Sequence, residues 1–188
     1  MLPRPPDAAW RKAERRRLVA ARLAMPDAVR AVASAKIEAA LMAHFPPGAL
    51  AILAGYWPIQ GEFDPLPYLR RVIAAGAQVA LPVAARPVAP LTFRLWTPDA
   101  AMTTGLWDIP HPADGAEVVP TALLIPLVGF DAAGHRLGNG GGYYDRTLAA
   151  LWPRPLAIGV GFELGRLASI SPLPHDHPMD AIVTEAGE

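Results

Sequence analysis

The stretch Arg136 to Arg146, RLGNGGGYYDR, places four glycines within five positions (Gly138, Gly140, Gly141, Gly142), directly before two tyrosines and an Asp-Arg pair. Glycine has no Cβ, so a ligand can approach the main chain closely there. Free N–H groups gathered at a helix start favour a phosphate. Arg136 and Arg146 flank the run and can add charge-assisted hydrogen bonds. Asp145 offers the kind of oxygen that Mg²⁺ accepts. Tyr143 and Tyr144 can cover a flat ring or orient a phosphate. Two readings stand side by side: a phosphate cradle, or a glycine-rich turn where the chain bends tightly. The run is neither a Walker A loop nor the dinucleotide fingerprint.

Three further groups carry chemistry. Arg11, Arg15 and Arg22 are spaced by four and seven and share one helix face, with Lys12 and Arg16 as an adjacent stripe. Such a face is ordinarily solvated; beside a phosphate loop it can instead close over a triphosphate. YWPIQGEFD (56–64) follows an apolar run. Asp64 in it suits a helix cap, whereas Glu62 has no evident structural task. A carboxylate at that place can accept hydrogen bonds from an amino-substituted heterocycle, with Trp57 packed on the ring. PLPHDHPMD (172–180) holds His175, Asp176, His177 and Asp180. Two histidines one residue apart do not match a zinc spacing, which leaves a bare loop or one Asp donating to a shared Mg²⁺. Ser34, Ser169 and Ser171 lie in no nucleophile elbow.

These groups need elements to hold them. Residues 8 to about 24 read as an Arg-rich helix ending near Met25-Pro26. Asp27 is placed to cap a second helix, whose apolar positions Val29, Val32, Ala33, Ile37, Ala40, Leu41 and Phe45 repeat at three and four. ALAILAGYW (49–57) reads as a buried strand. Asp64-Pro65 opens a helix that Gly76 ends. QVALPV (78–83) is a strand, LTFRLW (91–96) a strand with one wet face, and ALLIPLVGF (122–130) and LAIGVGF (156–162) are buried strands flanking a short helix at YDRTLAALW. The alternation predicts a single α/β domain with a mainly parallel sheet flanked by helices. In such sheets ligands sit beyond the carboxyl ends of strands, and the glycine run follows strand 122–130.

The whole chain sets bounds. It has 188 residues, 52% hydrophobic and 18% charged, with a formal net charge of zero. That balance argues against a nucleic-acid or membrane-surface partner. The lack of cysteine excludes disulfides and thiolate metal sites. No membrane span or targeting segment is read, and a cytoplasmic monomer is expected. The abundant Ala, 22 prolines and arginine far in excess of lysine are read as base-composition bias.

Pro126, Phe130, Asp131, Gly134, Arg136-Leu137-Gly138, Gly140-Gly141-Gly142 and Tyr143-Tyr144-Asp145-Arg146 together form a long pattern. It resembles the signature of the 5-formyltetrahydrofolate cyclo-ligases, also called 5,10-methenyltetrahydrofolate synthetases. The basic N-terminal helix, Gly61-Glu62 after a strand and the closing Asp176 to Glu185 segment are similar to the family in the same order. The resemblance implies conversion of 5-formyltetrahydrofolate and ATP to 5,10-methenyltetrahydrofolate, ADP and phosphate, with Mg²⁺. It places ATP on Arg11, Lys12, Arg15, Arg16 and on Arg136, Leu137, Gly138, Asn139, Gly140, Gly141, Gly142, Tyr143 and Tyr144. It places the folate on Trp57, Glu62 and the loop from Asn139 to Tyr143, and the metal on Asp145 and Asp176. Arg136, Tyr143 and Tyr144 are the catalytic candidates. The family's N-terminal Lys-x-x-Leu-Arg reads here Lys12-Ala13-Glu14-Arg15-Arg16, with Arg in the Leu position, and Arg11 with Arg15 is an alternative pair.

Overall fold

The computed structural model describes residues 8–187. The segment before Ala8, where no targeting signal is expected, and Glu188 lie outside the described residues. Helix α1 (Ala8–Leu23) is followed by α2 (Asp27–His44), strand β1 (Ile52–Ala54), α3 (Leu66–Ala74), β2 (Gln78–Val83), β3 (Thr92–Leu95), β4 (Met102–Thr104) and β5 (Pro110–Pro112). Then come β6 (Ala122–Pro126), β7 (Gly129–Phe130), β8 (Arg136–Leu137), α4 (Tyr143–Ala150), β9 (Leu156–Val160) and β10 (Ala181–Val183).

Six strands form the main sheet in the order β10-β9-β6-β1-β2-β3, and two small hairpins, β4-β5 and β7-β8, stand apart from it. All neighbours in the main sheet are parallel except β2 and β3. The expected mainly parallel α/β sheet is therefore what the chain builds. Helices α2 and α3 cover one face, where Ile37, Leu41, Tyr68 and Leu69 pack on Leu53, Val79, Leu81 and Leu124. The other face takes Leu148 of α4 against Leu123, Ile125, Phe93 and Ala157. Leu123, Leu124 and Ile125 are all fully buried, although they point alternately to opposite faces, as a strand covered on both sides requires.

Local signals hold in most places. Asp64 Oδ1 accepts the Leu66 N–H at 2.9 Å and caps α3; Gly76, at φ +87, terminates it. Elsewhere tertiary packing corrects the pattern. Asp27 is the first residue of α2, and Pro26 holds the cap position with no side-chain bond. Val29 and Val32 are 54% and 60% exposed, so the buried stripe of α2 is Ala33, Ile37 and Leu41. The apolar run at 49–57 keeps only three residues in β1, because beyond Gly55 the chain turns away into the cleft described below. The run at 122–130 divides after Pro126. Its last part pairs with β8 around a turn organised by Asp131, which is 4% exposed and accepts the N–H groups of Ala133, His135 and Ile170.

Candidate functional site

From β1 the chain crosses through α3 to β2 on one side, and from β6 through α4 to β9 on the other. Strands β1 and β6 are adjacent, so the crossovers diverge between them, and a crevice opens at their carboxyl ends. One loop, residues 55–64, leaves β1 there. The other wall is the segment from Leu127 through the glycine run to α4. Between them lies a cleft of about 1910 Å³, roomier than the ~300–1,000 Å³ of a single-ligand pocket.

Helix α1 lies across this cleft, and its arginine face is not solvated. Arg11 and Arg22 are buried, and Arg15 and Arg16 line the cleft with Arg11. Arg15 Nε donates to the Gly138 carbonyl at 2.7 Å, tying the helix to the glycine loop. Burial and the neighbouring charge of Arg11 both disfavour its charged form, against a smaller opposing pull from Asp176. Such a crowded pair of cations suits an anionic guest. Lys12 is exposed and does not line the cleft, because it points away from the Arg11–Arg15 stripe. Between the two registers left open above, this geometry favours Arg11 with Arg15.

The glycine loop sits at the cleft wall. Gly138, Asn139, Gly140, Gly141 and Gly142 all line it, whereas Leu137 is fully buried and offers at most its main chain. Gly142, at φ +64, stands at the start of α4, a conformation a larger residue adopts with strain. Tyr143 and Tyr144 follow into the cleft. Trp107 and Tyr143 pack edge to face, ring centroids 5.2 Å apart, and the Arg146 guanidinium lies over the Tyr143 ring at 5.1 Å. The Tyr144 phenol is pushed up by burial and further by Glu62, with Arg136 opposing. It therefore stays protonated near neutral pH.

Across the cleft, the chain at Ile59 to Glu62 makes a tight turn. Gln60 and Gly61 both have positive φ, +49 and +71, the pairing of a type I′ turn. The Glu62 N–H closes it on the Ile59 carbonyl at 3.0 Å, and Glu62 Oε2 accepts the Ile59 N–H at 3.1 Å. Glu62 Oε1 accepts Asn139 Nδ2 at 3.2 Å, a direct link from the β1 loop to the glycine loop. Burial raises the Glu62 carboxyl; the Ile59 N–H, Arg22 and Asn139 oppose the rise. Trp57 lines the same wall.

Both candidate metal carboxylates line the cleft, each paired with an arginine. Arg136, buried on β8, places Nη2 3.0 Å from Asp145 Oδ1 and donates from Nη1 to the His177 carbonyl at 3.1 Å. Asp145 Oδ1 also accepts the His177 N–H at 3.1 Å. Asp176 accepts Arg11 at 2.7 and 3.2 Å and the Leu173 N–H at 2.7 Å. Among the described residues no three His, Asp or Glu side chains converge on a metal position.

Burial alone would raise the Asp176 carboxyl, but the Arg11 hydrogen bond, the Leu173 N–H and the nearby charges outweigh it, so it lies below its ordinary value. A depressed folded-state pKa contributes stability above the unfolded value, and that stability is lost as pH falls through the folded one. Asp176→Asn is thus expected to destabilise the protein by about 2 kcal/mol at neutral pH, with the gap closing below about pH 4. Melting curves of both proteins across pH check this; a gap that does not change with pH overturns it.

Sequence reading missed Trp107 as a cleft residue and did not foresee where Arg22 goes. Trp107, on the loop between β4 and β5, carries no motif, and the pairing that brings it to Tyr143 is purely tertiary. Arg22 does carry a signal, its place on the Arg11–Arg15 face, but not its destination beside Glu62 at 3.8 Å.

The chain matches the model of the 5-formyltetrahydrofolate cyclo-ligase family over residues 7–185. It is 32% identical to the 5-formyltetrahydrofolate cyclo-ligase of Escherichia coli K12 over 153 residues, 76% of this chain and 83% of that protein. Identity to the Mycolicibacterium smegmatis enzyme of the same name is 34% over 142 residues, 70% of this chain and 72% of the other. The solved 5,10-methenyltetrahydrofolate synthetase of Aquifex aeolicus superposes with a TM-score of 0.81 at 26% identity, covering 93% of this chain and 89% of that one. The synthetase structure from Mycoplasma pneumoniae, at 22% identity and a TM-score of 0.76, shares the fold. With the glycine loop, the arginine helix and the Glu62 turn facing one cleft, and a match running nearly end to end, the chain belongs to the 5-formyltetrahydrofolate cyclo-ligase family.

Proposed function

We infer that the protein converts 5-formyltetrahydrofolate and ATP to 5,10-methenyltetrahydrofolate, ADP and phosphate. The observation that carries this reading is the junction of a glycine loop and a buried carboxylate in one cleft, Asn139 to Glu62, in a chain of this family. A cleft of that volume has room for two substrates side by side.

A formamide oxygen is a weak nucleophile and a poor leaving group. Its attack on the γ-phosphorus displaces ADP, and the N5 lone pair moves in to give an iminium phosphate, N5⁺=CH–O–phosphate. The N10 amine then adds to that carbon, loses its proton, and phosphate departs with the C–O bond pair, closing the ring. Phosphoryl transfer asks chiefly for alignment and charge neutralisation. In this reading the loop 138–142 and the start of α4 hold the phosphates, and Arg11, Arg15, Arg16 and Arg136 offset their charge. Glu62 and Trp57 hold the pterin, and Tyr143 and Tyr144 line the reacting centre, where burial keeps the Tyr144 phenol protonated. No side-chain nucleophile is required.

Two arginine-paired carboxylates do not make an all-protein metal cage. They do suit Mg²⁺, which is commonly held by one or two carboxylates together with substrate phosphates and water. Asp145 and Asp176 would hold it, and the ion would supply charge neutralisation on the phosphates. The protein is proposed to act as a cytoplasmic monomer on these small molecules, with no nucleic-acid or membrane partner. Among the described residues no helix is long and apolar enough to cross a membrane.

The test is the near-ultraviolet absorbance of the conjugated methenyl product. We expect it to grow when the protein is mixed with 5-formyltetrahydrofolate, ATP and Mg²⁺, and to stop on omission of ATP or chelation of the metal. No absorbance change with all components present overturns the reading.

A further inference from the structure

Arg22 does not line the cleft, yet it is 3% exposed and its nitrogens reach three separate places. Nε donates to the Gln60 carbonyl at 3.0 Å and Nη1 to the Leu127 carbonyl at 3.1 Å. Nη2 stands 3.8 Å from Glu62 Oε1 and has no hydrogen-bond partner among the described residues. Gln60 lies in the loop after β1, and Leu127 follows β6. One guanidinium on α1 therefore spans both walls of the crevice and faces the carboxylate between them. Arg30 on α2 supports the same turn, donating to the Gly61 carbonyl at 2.6 Å and to the carbonyl of Arg22 itself.

Stability does not account for this arrangement. A buried guanidinium with an unsatisfied nitrogen is a liability, and a well-packed apolar residue of similar size is often as good or better. Its charge has a use in the one place it is aimed. Glu62 is 8% exposed, and burial draws its carboxyl toward the neutral form. A protonated carboxyl carries a donor, whereas the N–H groups of an amino-substituted ring need an acceptor, and only the ionised form offers acceptors alone. The other titratable groups bearing on Glu62 are Tyr56 on its own loop and Tyr144 on α4, both kept neutral because burial pushes their phenols up. Asn139 supplies a neutral amide from the glycine loop. Among these groups the compensating charge comes from Arg22.

We propose that Arg22 is a positioning residue for the pterin: it acts through Glu62, holding that carboxylate charged and aimed across the cleft, and touches neither substrate. This rests on the function proposed above and deepens it. A guanidinium that merely pinned the two loops together would disturb both substrates, because the glycine loop and the Glu62 turn would shift together.

The experiment is a double-mutant cycle of Arg22→Met and Glu62→Gln, with Arg22→Lys alongside. We expect Arg22→Met to raise the KM for 5-formyltetrahydrofolate about tenfold while the ATP KM stays within about twofold. Glu62→Gln should do the same, and the double variant should be no worse than the poorer single one. Arg22→Lys, which keeps the charge but not the fork, should raise the folate KM only about threefold. Multiplying effects in the double variant, equal rises in both KM values, or a lysine variant as impaired as methionine overturns the proposal. A second readout needs no substrate: in protein carrying ¹³C-labelled glutamate carboxyls, the Glu62 titration should move to higher pH in Arg22→Met. If that variant does not fold, the lysine variant decides, since a pure loop clamp predicts a full tenfold loss for it. Wild-type protein without turnover but with the Glu62 shift would sink the function and leave the pairing; an active wild type without the shift or the coupling would sink this inference alone.

Discussion

Replacing Gly138 with valine is expected to weaken ATP binding by at least about tenfold, a loss of some 1.4 kcal/mol or more, while the melting temperature stays within about 2 °C of the parent. The four glycines of the loop are not equivalent. A Cβ at Gly141 would sit 2.8 Å from the Tyr143 ring, and one at Gly142 would meet Arg146 Nη1 at 2.9 Å. Gly140 and Gly142 have φ of +98 and +64, where a β-branched residue is strained. Side chains at those three positions would disturb the loop itself, and a loss of affinity there would not separate ligand from fold. At Gly138 a Cβ meets nothing within 4 Å. The residue lines the cleft, and its carbonyl bond to Arg15 is a main-chain contact that substitution leaves in place. Added bulk there reports on whatever approaches the backbone from the cleft. Nucleotide titration by calorimetry, together with the nucleotide-dependent rise in melting temperature, reads the effect. A valine variant with parental affinity and parental melting would remove the phosphate from this loop.

Arg136→Lys is expected to lower kcat by about two orders of magnitude, with both KM values within about threefold and a stability loss of about 1–3 kcal/mol. Arg136 holds the His177 carbonyl with one nitrogen and Asp145 with the other. A lysine keeps the charge but cannot make both contacts in a fixed plane. The proposed role is neutralisation of charge that grows as the phosphoryl group transfers, so the loss belongs in kcat. Steady-state kinetics with both substrates varied separates the terms. Undiminished kcat in a folded variant would remove Arg136 from the reacting centre, and a change confined to the ATP KM would reduce it to a binding residue.

The two substitutions also mark how far local sequence carries. RLGNGGGYYDR announces close backbone approach because glycine's freedom is a property of the residue itself, and its helical sequel follows within four positions. Asp64-Pro65 and Gly76 frame α3 for the same reason: a cap or a left-handed residue acts within one turn. The arginine face of α1 is equally legible as a face. What it meets is not, and the ordinary expectation of a solvated stripe is wrong for Arg11 and Arg22. Val29 and Val32 fail in the opposite sense, since an apolar residue in periodic register is buried only if another element arrives to cover it.

The sequence by itself determined the sheet class, most of the helices and strands, and the residue types of a phosphate-accepting loop, because each of these follows from interactions spanning a few positions. The tertiary structure decided which of those residues share a cleft. Arg11 and Asp176 lie 165 positions apart, and Glu62 and Asn139 77 apart. The meeting of Glu62 and Asn139 depends on β1 and β6 becoming neighbours while their crossovers depart in opposite directions. Charge and burial follow from that junction rather than from residue type: Glu62 and Arg22 are ordinary charged residues along the chain and a desolvated pair in the fold. Local chemistry is short-ranged and can be read in order along the chain; desolvation and ion pairing depend on what the folded chain places within a few ångströms, and strand order sets that.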